Sequence, residues 1–287
     1  MKDFNLRLEE AARYLAEADA VVIGAGAGLS AAAGLDYSGP EFRKEFADYI
    51  KKYGFPDLYS SSFHEFPTEE ERWARWARHI EYIRFRPDAM PLYRRLFDLV
   101  KGKNYFVITT NVDSQFRKAG FEADRIFEVQ GDYGLMQCAV GCHPRTYSDR
   151  HTVEEILRHS HDMTVDARYL PVCPVCGGNM DVHVRKNQFF VEDEPWQQAA
   201  TRYEEFMTRF ADHGRVVLLE LGIGYNTPTI IRFPFERILF HNSKAHLIRL
   251  NAEYPHGPAE TAAQTIPFTE DMSEVIEKLN KDEKHVS

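Results

Sequence analysis

Polar residues follow short apolar runs at several points of the chain, and their types suit chemistry on a bound ligand. AVVIGAG leads into Gly28 and Ser30, YFVITT into Asn111 and Asp113, and RIFEV into Gln130. Glycine lets backbone N–H groups approach a phosphate closely, and amide and carboxylate side chains hydrogen-bond to polar ligand groups. Strand ends of a parallel sheet meet at one edge. The pattern therefore predicts one site for a phosphate-bearing ligand.

The glycine-rich stretch is a weak signal when it is considered alone. GAGAGLS does not match G-x-G-x-x-G, and glycines at the end of a strand also serve as ordinary turns. The prediction gains weight from the later strand ends, LGIGYN and RLN, which carry further glycine and asparagine residues.

The cysteines of the chain form two close pairs, C-x₃-C and C-x₂-C, and the sequence has four in total. Two such pairs in a long chain favour a tetrahedral metal ion over a disulfide framework. Four thiolates fill the coordination sphere of zinc, which makes the site structural. Free thiols or disulfides are the alternatives, and His143 is an alternative ligand. The predicted ligands are Cys138, Cys142, Cys173 and Cys176.

Apolar runs alternate with helical patterns along the chain, which predicts an α/β fold with a doubly wound parallel sheet. Residues 1–133 and 186–287 are predicted to form the ligand-binding domain, with a helical insertion at about 40–95, and residues 134–185 a small cysteine-bearing module. The predicted strands are AVVIGAG, YFVITTN, RIFEVQG, NQFFVEDEP, RVVLLELGIGYNTP and KAHLIRLNAE.

The segment EERWARWARHIEYIRF carries aromatic and basic residues at helical spacing. The apolar stripe is predicted to face a core, and the arginines to point elsewhere. A solvated basic face is favoured over an RNA-binding one because the formal net charge is −9. The stripe is Trp73, Trp76, Ile80 and Ile83, and the arginines are Arg72, Arg75 and Arg78.

Charge and hydropathy oppose nucleic acid and membranes as partners. A net charge of −9 disfavours a large contact with either polyanion. The sequence has no run of about 18 uncharged apolar residues, the length that suggests a membrane span. Its first 20 residues read as an amphipathic helix rather than a signal peptide. We therefore expect a cytoplasmic protein.

Five motifs together resemble the sirtuins. GAGLSAAAG is similar to their GAGIS-x-x-SG loop, and TTNVD to TQN-[IV]-D. VQGDYG stands where the family has LHG-x-x-G, LGIGYNTP where it has LGTSL-x-V-x-P, and RLN where it has a closing V-N or I-N. The motifs occur in the family's order, and the cysteine pairs lie between the third and the fourth.

The resemblance implies a Rossmann-like domain, a small zinc domain, and NAD used as a substrate whose nicotinamide bond is broken. For this reaction we expect Asn111 to contact the ribose or the attacking group, because its amide both donates and accepts, Asp113 to orient the nicotinamide end or the loop, and Gln130 to hold the ribose hydroxyls. The implied NAD contacts are Gly26, Ala27, Gly28, Ser30, Asp36, Tyr37, Thr110, Asn111, Asp113, Gln130, Gly222, Ile223, Gly224, Asn226 and Asn251.

One departure from the family pattern bears on the reaction. Deacylases of the family have a histidine general base where this chain has Gln130, and an amide cannot take up a proton near neutral pH. General base catalysis contributes about 10²–10⁴ in rate, so deacylation should be crippled while cleavage of the glycosidic bond survives.

GLDY combined with VQG resembles the macrodomain-linked, class M sirtuins of microbes. This resemblance implies mono-ADP-ribosyl transfer to a protein, with a lipoylated glycine-cleavage H-like carrier as the acceptor and a macrodomain hydrolase as the reversing partner. Arg185 is a candidate to steer an anionic acceptor, although an exposed arginine at a domain edge is more often structural. A lysine deacylase and a silent NAD-binding sensor are the alternatives.

Overall fold

The computed structural model describes residues 3–286, with side chains for residues 3–281. Within them the strands are β1 (Ala20–Ala25), β2 (Tyr105–Thr109), β3 (Ile126–Glu128), β4 (Gly131–Cys138), β5 (Thr146–Ser148), β6 (Met180–Val184), β7 (Val216–Leu221), β8 (His246–Leu250) and β9 (Thr265–Phe268).

The helices cover much of the remaining chain. They are α1 (Phe4–Glu17), α2 (Ala27–Ala33), α3 (Pro40–Glu45), α4 (Ala47–Tyr53), α5 (Leu58–Ser61), α6 (Glu69–Ile80), α7 (Pro91–Val100), α8 (Gln115–Lys118), α9 (Arg150–His159), α10 (Glu194–Phe210), α11 (Arg232–His241) and α12 (Met272–Val286). A π-helical turn, Glu81–Phe85, extends α6. No helix of the described residues is long and apolar enough to cross a membrane.

A six-stranded sheet in the order β3-β2-β1-β7-β8-β9 forms the centre of the molecule. Every neighbouring pair is parallel. The chain runs outward from β1 to β3 and later returns to β7 on the other side of β1, so the strand order reverses between β1 and β7. This arrangement confirms the predicted doubly wound, Rossmann-like fold.

Both faces of the sheet are buried, which explains why its strands read as continuous apolar runs. Val21 and Ile23 pack on a layer that includes α1, α7 and α12, whereas Val22 faces the layer of α10 and α11. All six residues of β1 and of β7 are buried. The core therefore lies on both sides of the sheet, and the strand ends are free to form a site.

Two strand predictions need correction. In NQFFVEDEP, residues 187–193 lie in a loop and Glu194 begins α10. The side chain of Gln137 bonds to this loop where a neighbouring strand would: its Nε2 donates to Phe189 O (2.7 Å), and its Oε1 accepts from Val191 N (2.9 Å). The sixth strand of the sheet is β9, which we did not predict. It is short and contains Pro267, and proline in a sheet is confined largely to edge strands such as this one.

The helical segments between β1 and β2 pack against the cysteine-bearing region. Trp73, Trp76, Ile80 and Ile83 are buried in one cluster with Cys138 and Val182, as the helical stripe predicts for its own four residues. The prediction for Arg75 is wrong, because this side chain is fully buried. Its guanidinium lies 4.4 Å from the ring of Trp76, and Nη2 donates to Leu58 O at 2.9 Å.

The second sheet is antiparallel and has the order β5-β4-β6. Cys138 ends β4, and the other three cysteines lie in the loops that follow β4 and precede β6. The sheet shares a buried cluster with the helical insertion rather than enclosing a core of its own. The division of the chain into units at residues 134 and 185 stays a prediction.

Candidate active site

A cavity of about 920 Å³ lies at the carboxyl ends of the central strands, where the strand order reverses. Its volume falls within the roughly 300–1,000 Å³ typical of small-molecule sites. The fold therefore brings together predicted site residues from segments that are up to about 200 positions apart. Those that line it are Gly26, Ala27, Gly28, Ser30, Asp36, Tyr37, Thr110, Asn111, Asp113, Gln130, Arg185, Gly222, Ile223, Gly224 and Asn226.

Gly28, in the first turn of α2, and Gly222, directly after β7, both line this cavity. Gly28 N donates to Gly222 O (3.1 Å), and a Cβ on Gly28 would lie 2.7 Å from Gly222 Cα. Gly222 has φ of +62°, and its own Cβ would lie 2.5 Å from Gly28 Cα. The absence of side chains at both positions thus lets the start of α2 pack directly on the backbone that follows β7.

Asn111 is held from two sides by its carboxamide nitrogen. Nδ2 donates to Gly26 O (3.0 Å) and lies 3.4 Å from the hydroxyl of Tyr93. The backbone N–H of Asn111 donates to Thr109 Oγ1 at 3.0 Å. The side chain is therefore anchored between the ends of β1 and β2, at the edge of the cavity.

Asp113 lies beneath the cavity and is almost completely buried. Its Oδ2 accepts from Ser30 Oγ (2.5 Å) and its Oδ1 from Gln115 N (2.9 Å). Burial raises the pKa of Asp113, and these two hydrogen bonds oppose that rise. The carboxylate acts on its surroundings through Ser30, which makes it a structural support for the site.

Gln130 lies in the short connection between β3 and β4. The next residue, Gly131, has φ of +97°, and a Cβ there would lie 2.1 Å from His183 O. The backbone carbonyl of Gln130 accepts from Arg185 N at 2.9 Å. Its side-chain Oε1 is buried and has no hydrogen-bond partner among the described residues. A buried amide oxygen in a cavity wall suits a ligand that donates a hydrogen bond.

Among the described residues that line the cavity there is no histidine. His79 is fully buried and stacks on Trp76, with 5.2 Å between ring centroids. Burial and the neighbouring Arg75 hold the pKa of His79 well below its usual value. His183 is buried and bonds through Nε2 to Val191 O (2.9 Å). Neither imidazole replaces Gln130 at the cavity wall.

Asp36 and Arg185 line the cavity but are engaged by other groups. The carboxylate of Asp36 accepts from the backbone N–H groups of Ser38 (3.1 Å) and Glu41 (2.9 Å), so it shapes the loop that closes this wall. Arg185 pairs with Glu192 at 2.6 Å. Both side chains thus have structural partners on the protein.

Asn251 lies outside the cavity. Its Nδ2 donates to Ile223 O (2.7 Å), and its Oδ1 accepts from the N–H groups of Glu253 and Tyr254 (3.0 and 2.9 Å). Asn251 thereby fixes the backbone of Ile223, which does line the cavity.

The cavity also has an apolar and aromatic wall that the sequence did not predict. It comes from the helical insertion and from β4 and β6. Trp76 was predicted only as a core residue, since helical periodicity detects burial and does not separate a core from a pocket wall. The residues of this wall are Tyr59, Phe63, Trp76, Tyr133, Val182 and Val184.

The four cysteines converge as predicted, at one end of the antiparallel sheet. Their sulfur atoms lie within 4.8 Å of one another, with Cys138 to Cys176 at 3.7 Å and Cys142 to Cys173 at 3.6 Å. A tetrahedron with Zn–S bonds of 2.3 Å has edges of about 3.8 Å. Disulfide sulfurs lie about 2.0 Å apart, so these distances exclude that alternative. The donor set fits a closed, structural zinc site.

His143 lies beside this cluster. Its Nδ1 is 3.0 Å from the sulfur of Cys142 and 3.8 Å from that of Cys173, and its Nε2 is 2.8 Å from the hydroxyl of Tyr147. The imidazole therefore contacts two of the thiols without being one of the four sulfur ligands.

A buried carboxylate lies where the antiparallel sheet meets α9. Asp149 has both oxygens buried without a hydrogen-bond partner among the described residues. Burial, with a contribution from Asp132, raises the pKa of Asp149 to about 8, although Arg84 and Arg150 oppose the rise. Arg84 is committed to Asp132, with Nε to Oδ1 at 2.7 Å.

Comparison with known proteins identifies the family of this chain. Residues 26–211 match the Sir2 family. A protein ADP-ribosyltransferase of Staphylococcus aureus (strain Mu50) is 36% identical over 261 residues, which cover 91% of this chain and 82% of that protein. The chain belongs to the Sir2 family, the sirtuins.

A second relative is longer than this chain. A probable bifunctional ADP-ribose hydrolase/ADP-ribosyltransferase of Fusarium oxysporum f. sp. cubense is 32% identical over 253 residues. The match covers 85% of this chain and 42% of the relative.

Solved structures agree in fold. A Sir2 enzyme solved for its mechanism and regulation has a TM-score of 0.62 at 20% identity, covering 99% of this chain and 100% of its own. A Sir2 homologue in complex with NAD has a TM-score of 0.59 at 17% identity, covering 97% and 94% of the two chains.

Proposed function

We propose that this chain is an NAD-dependent protein mono-ADP-ribosyltransferase. The observation that carries the proposal is the cavity wall at Gln130, where an amide stands in place of an imidazole and its buried Oε1 has no partner among the described residues. The names of the relatives from S. aureus and F. oxysporum support the same activity.

NAD fits the arrangement of the cavity. Gly26, Gly28 and Gly222 line the cavity with bare backbone, which a phosphate-bearing chain can approach closely, and the amide groups of Asn111 and Gln130 suit the nicotinamide ribose. We therefore assign NAD to this cavity as the substrate.

In the proposed reaction the bond between the ribose C1′ and the nicotinamide nitrogen breaks. Its electron pair neutralises the pyridinium ring, which leaves as nicotinamide, and positive charge develops on the sugar. Preorganised dipoles such as that of Asn111 stabilise this charge. A nucleophilic side chain of the acceptor forms the new bond to C1′ and loses its proton to solvent.

The described residues that line the cavity include no imidazole, which separates this reaction from deacylation. Cleavage of an already activated glycosidic bond needs little proton transfer, whereas removal of an acyl group needs a base. A base near neutral pH contributes about 10²–10⁴ in rate. Gln130 can bind a ribose hydroxyl without removing its proton.

We propose a lipoylated, glycine-cleavage H-like carrier protein as the acceptor and a macrodomain hydrolase as the reversing partner. The aromatic wall that includes Trp76 and Phe63 suits an apolar prosthetic arm, and the F. oxysporum relative carries both activities in its name. Four clustered cysteines without a disulfide between them are typical of a reducing compartment, which supports the cytoplasm as the proposed location.

The test is intact mass spectrometry of acceptor proteins incubated with NAD and the enzyme. We expect the lipoylated carrier to gain one ADP-ribose, and the unmodified carrier to gain less. Loss of the acyl group from an acyl-lysine peptide, with O-acyl-ADP-ribose formed and no protein gaining mass, would establish a deacylase instead. NAD that stays intact with every acceptor would point to a sensor.

Gln130→His sharpens this test. An imidazole at the same wall can take up a proton, so acyl-lysine removal should rise by up to about 10². Gln130→Ala is the matched control, since it removes the amide without adding a base. If wild-type enzyme and Gln130→His remove acyl groups equally fast, the role assigned to Gln130 is wrong.

A further inference from the structure

Tyr93, on α7, contributes a buried hydroxyl to the site. Its side chain is fully buried, and its ring packs edge to face on Phe116 with 5.0 Å between centroids. The hydroxyl lies 3.2 Å from Ser30 Oγ and 3.4 Å from Asn111 Nδ2. Packing alone would be satisfied by phenylalanine, so the hydroxyl requires a separate explanation.

Four residues form a continuous hydrogen-bonded chain, which we call the buried relay: Asp113, Ser30, Tyr93 and Asn111. It begins at the carboxylate of Asp113, which as an anion can only accept. Ser30 donates its one hydroxyl hydrogen to Asp113 Oδ2, with 2.5 Å between the two oxygens. Ser30 can therefore only accept from Tyr93.

The direction of the relay determines what Asn111 presents. Because Tyr93 gives its hydrogen to Ser30, its oxygen is an acceptor for Asn111 Nδ2. The second hydrogen of that nitrogen goes to Gly26 O at 3.0 Å, which can only accept. Both amide hydrogens of Asn111 are thus used within the protein.

We propose that Tyr93 is a positioning residue that holds the carboxamide of Asn111 with Oδ1 as its available atom. Asn111 then acts as an acceptor, bonding to a ribose hydroxyl or placing a negative dipole beside the positive charge that develops on the sugar. This assignment rests on the proposed function. It identifies which end of the amide serves the reaction.

Tyr93→Phe removes only the oxygen and keeps the contact with Phe116. For nicotinamide release from NAD in the presence of acceptor, we expect kcat to fall about 10–100-fold, with KM for NAD changing less than about threefold, since the contact acts in the transition state. Tyr105→Phe is the matched control: Tyr105 is also fully buried, but its hydroxyl bonds to Glu122 N, away from the cavity.

Asp113→Asn tests the direction of the relay. The new amide can still accept from Gln115 N, but it would donate to Ser30 and reverse the order of the hydrogens. Tyr93 would then point its hydrogen at Asn111 Nδ2, which is also a donor. We expect a loss in kcat similar to that of Tyr93→Phe.

The double variant Tyr93→Phe/Asp113→Asn completes the cycle. Because the relay is already broken by Tyr93→Phe, adding Asp113→Asn should lower kcat by less than about threefold further. If the two substitutions instead lower kcat by independent factors that multiply, the proposal is overturned. The proposal would also be overturned if Tyr93→Phe kept the wild-type kcat, or if its decrease in kcat were no larger than that of Tyr105→Phe.

A readout that is independent of activity separates this proposal from the proposed function. In ¹H–¹⁵N spectra, Tyr93→Phe should shift one side-chain amide proton of Asn111 and leave the other, bonded to Gly26 O, nearly unchanged. Wild-type protein that releases no nicotinamide would refute the proposed function, whereas unchanged Asn111 amide signals in Tyr93→Phe would refute the buried relay.

Discussion

The cysteine cluster and the cavity both gather polar atoms from distant segments, but they differ in what they leave free. The four sulfur atoms of the cluster face one another, and one tetrahedral ion would satisfy all of them. The cavity instead leaves the buried Oε1 of Gln130 without a partner among the described residues. A closed donor set indicates a structural role, whereas an open one indicates a ligand.

The two regions also differ in how their order is maintained. Cys138 and Cys173 are buried in the cluster that supports the helical insertion, so the metal site and a core stabilise each other. In the cavity, order comes from hydrogen bonds that anchor one end of a side chain and leave the other end available, as with Asn111. The following variants test this contrast.

The largest effect should come from Cys173→Ser. Zinc contributes about 10–16 kcal/mol to the folding of small structural sites, so loss of one thiolate should release the metal and disorder the antiparallel sheet. The zinc content measured by elemental analysis should fall from one ion per chain to well below one. The melting temperature should drop more than for any other variant here.

His143→Ala is the control for the metal site. Four thiolates suffice as ligands, so this variant should retain one zinc per chain. Loss of zinc from His143→Ala with retention in Cys173→Ser would show that the imidazole, and not the fourth sulfur, completes the site.

Asn111→Ala should have the next largest effect, and on catalysis rather than stability. Loss of one transition-state contact of this kind costs about 2.7–4 kcal/mol, so nicotinamide release should fall 10²–10³-fold while the melting temperature stays close to that of the wild type. Asn104→Ala, at the opposite end of the same strand, should leave the rate unchanged. A wild-type rate for Asn111→Ala would show that another group stabilises the charge.

Gly222→Ala should weaken NAD binding by about tenfold or more. A non-glycine residue in the left-handed region costs on the order of 1–3 kcal/mol, and the new Cβ would lie 2.5 Å from Gly28 Cα. Gly102→Ala is the matched control, because a Cβ there meets no atom within 4 Å and Gly102 does not line the cavity. Calorimetric titration with NAD gives both affinities. Equal losses of NAD affinity in the two variants would mean that the contact between Gly28 and Gly222 is unimportant for NAD binding.

The last variant tests the pH dependence of stability. The pKa of Asp149 is raised to about 8 in the folded protein, against about 3.9 in an unfolded chain, so the folded state binds the extra proton between these values. Stability contributed by this group is present below about pH 4 and is lost as pH rises toward 8. Asp149→Asn should therefore flatten the fall in melting temperature across that window. An unchanged profile would show that Asp149 does not cause it.

Much of this protein could be predicted from local sequence. Cysteine spacing and the alternation of apolar runs with helical patterns depend on neighbouring positions, and they predicted the metal ligands and the parallel sheet. The motifs shared with the sirtuins implied the NAD contacts, and all of these except Asn251 line the cavity. The replacement of a histidine by Gln130 was also visible in the sequence alone, because it concerns the chemical type of one residue within a motif.

Other features depend on contacts that no local pattern records. Tyr93 lies 63 positions from Ser30, and only the packing of α7 beneath the strand ends brings their hydroxyls together. The burial of Arg75 and the loop held by Gln137 likewise arise from partners far along the chain. The sequence by itself determined which chemical groups are present and roughly where the strands end. The tertiary structure decided which atoms of those groups are already bonded and which remain for a ligand, since a hydrogen bond depends on distance and direction in space.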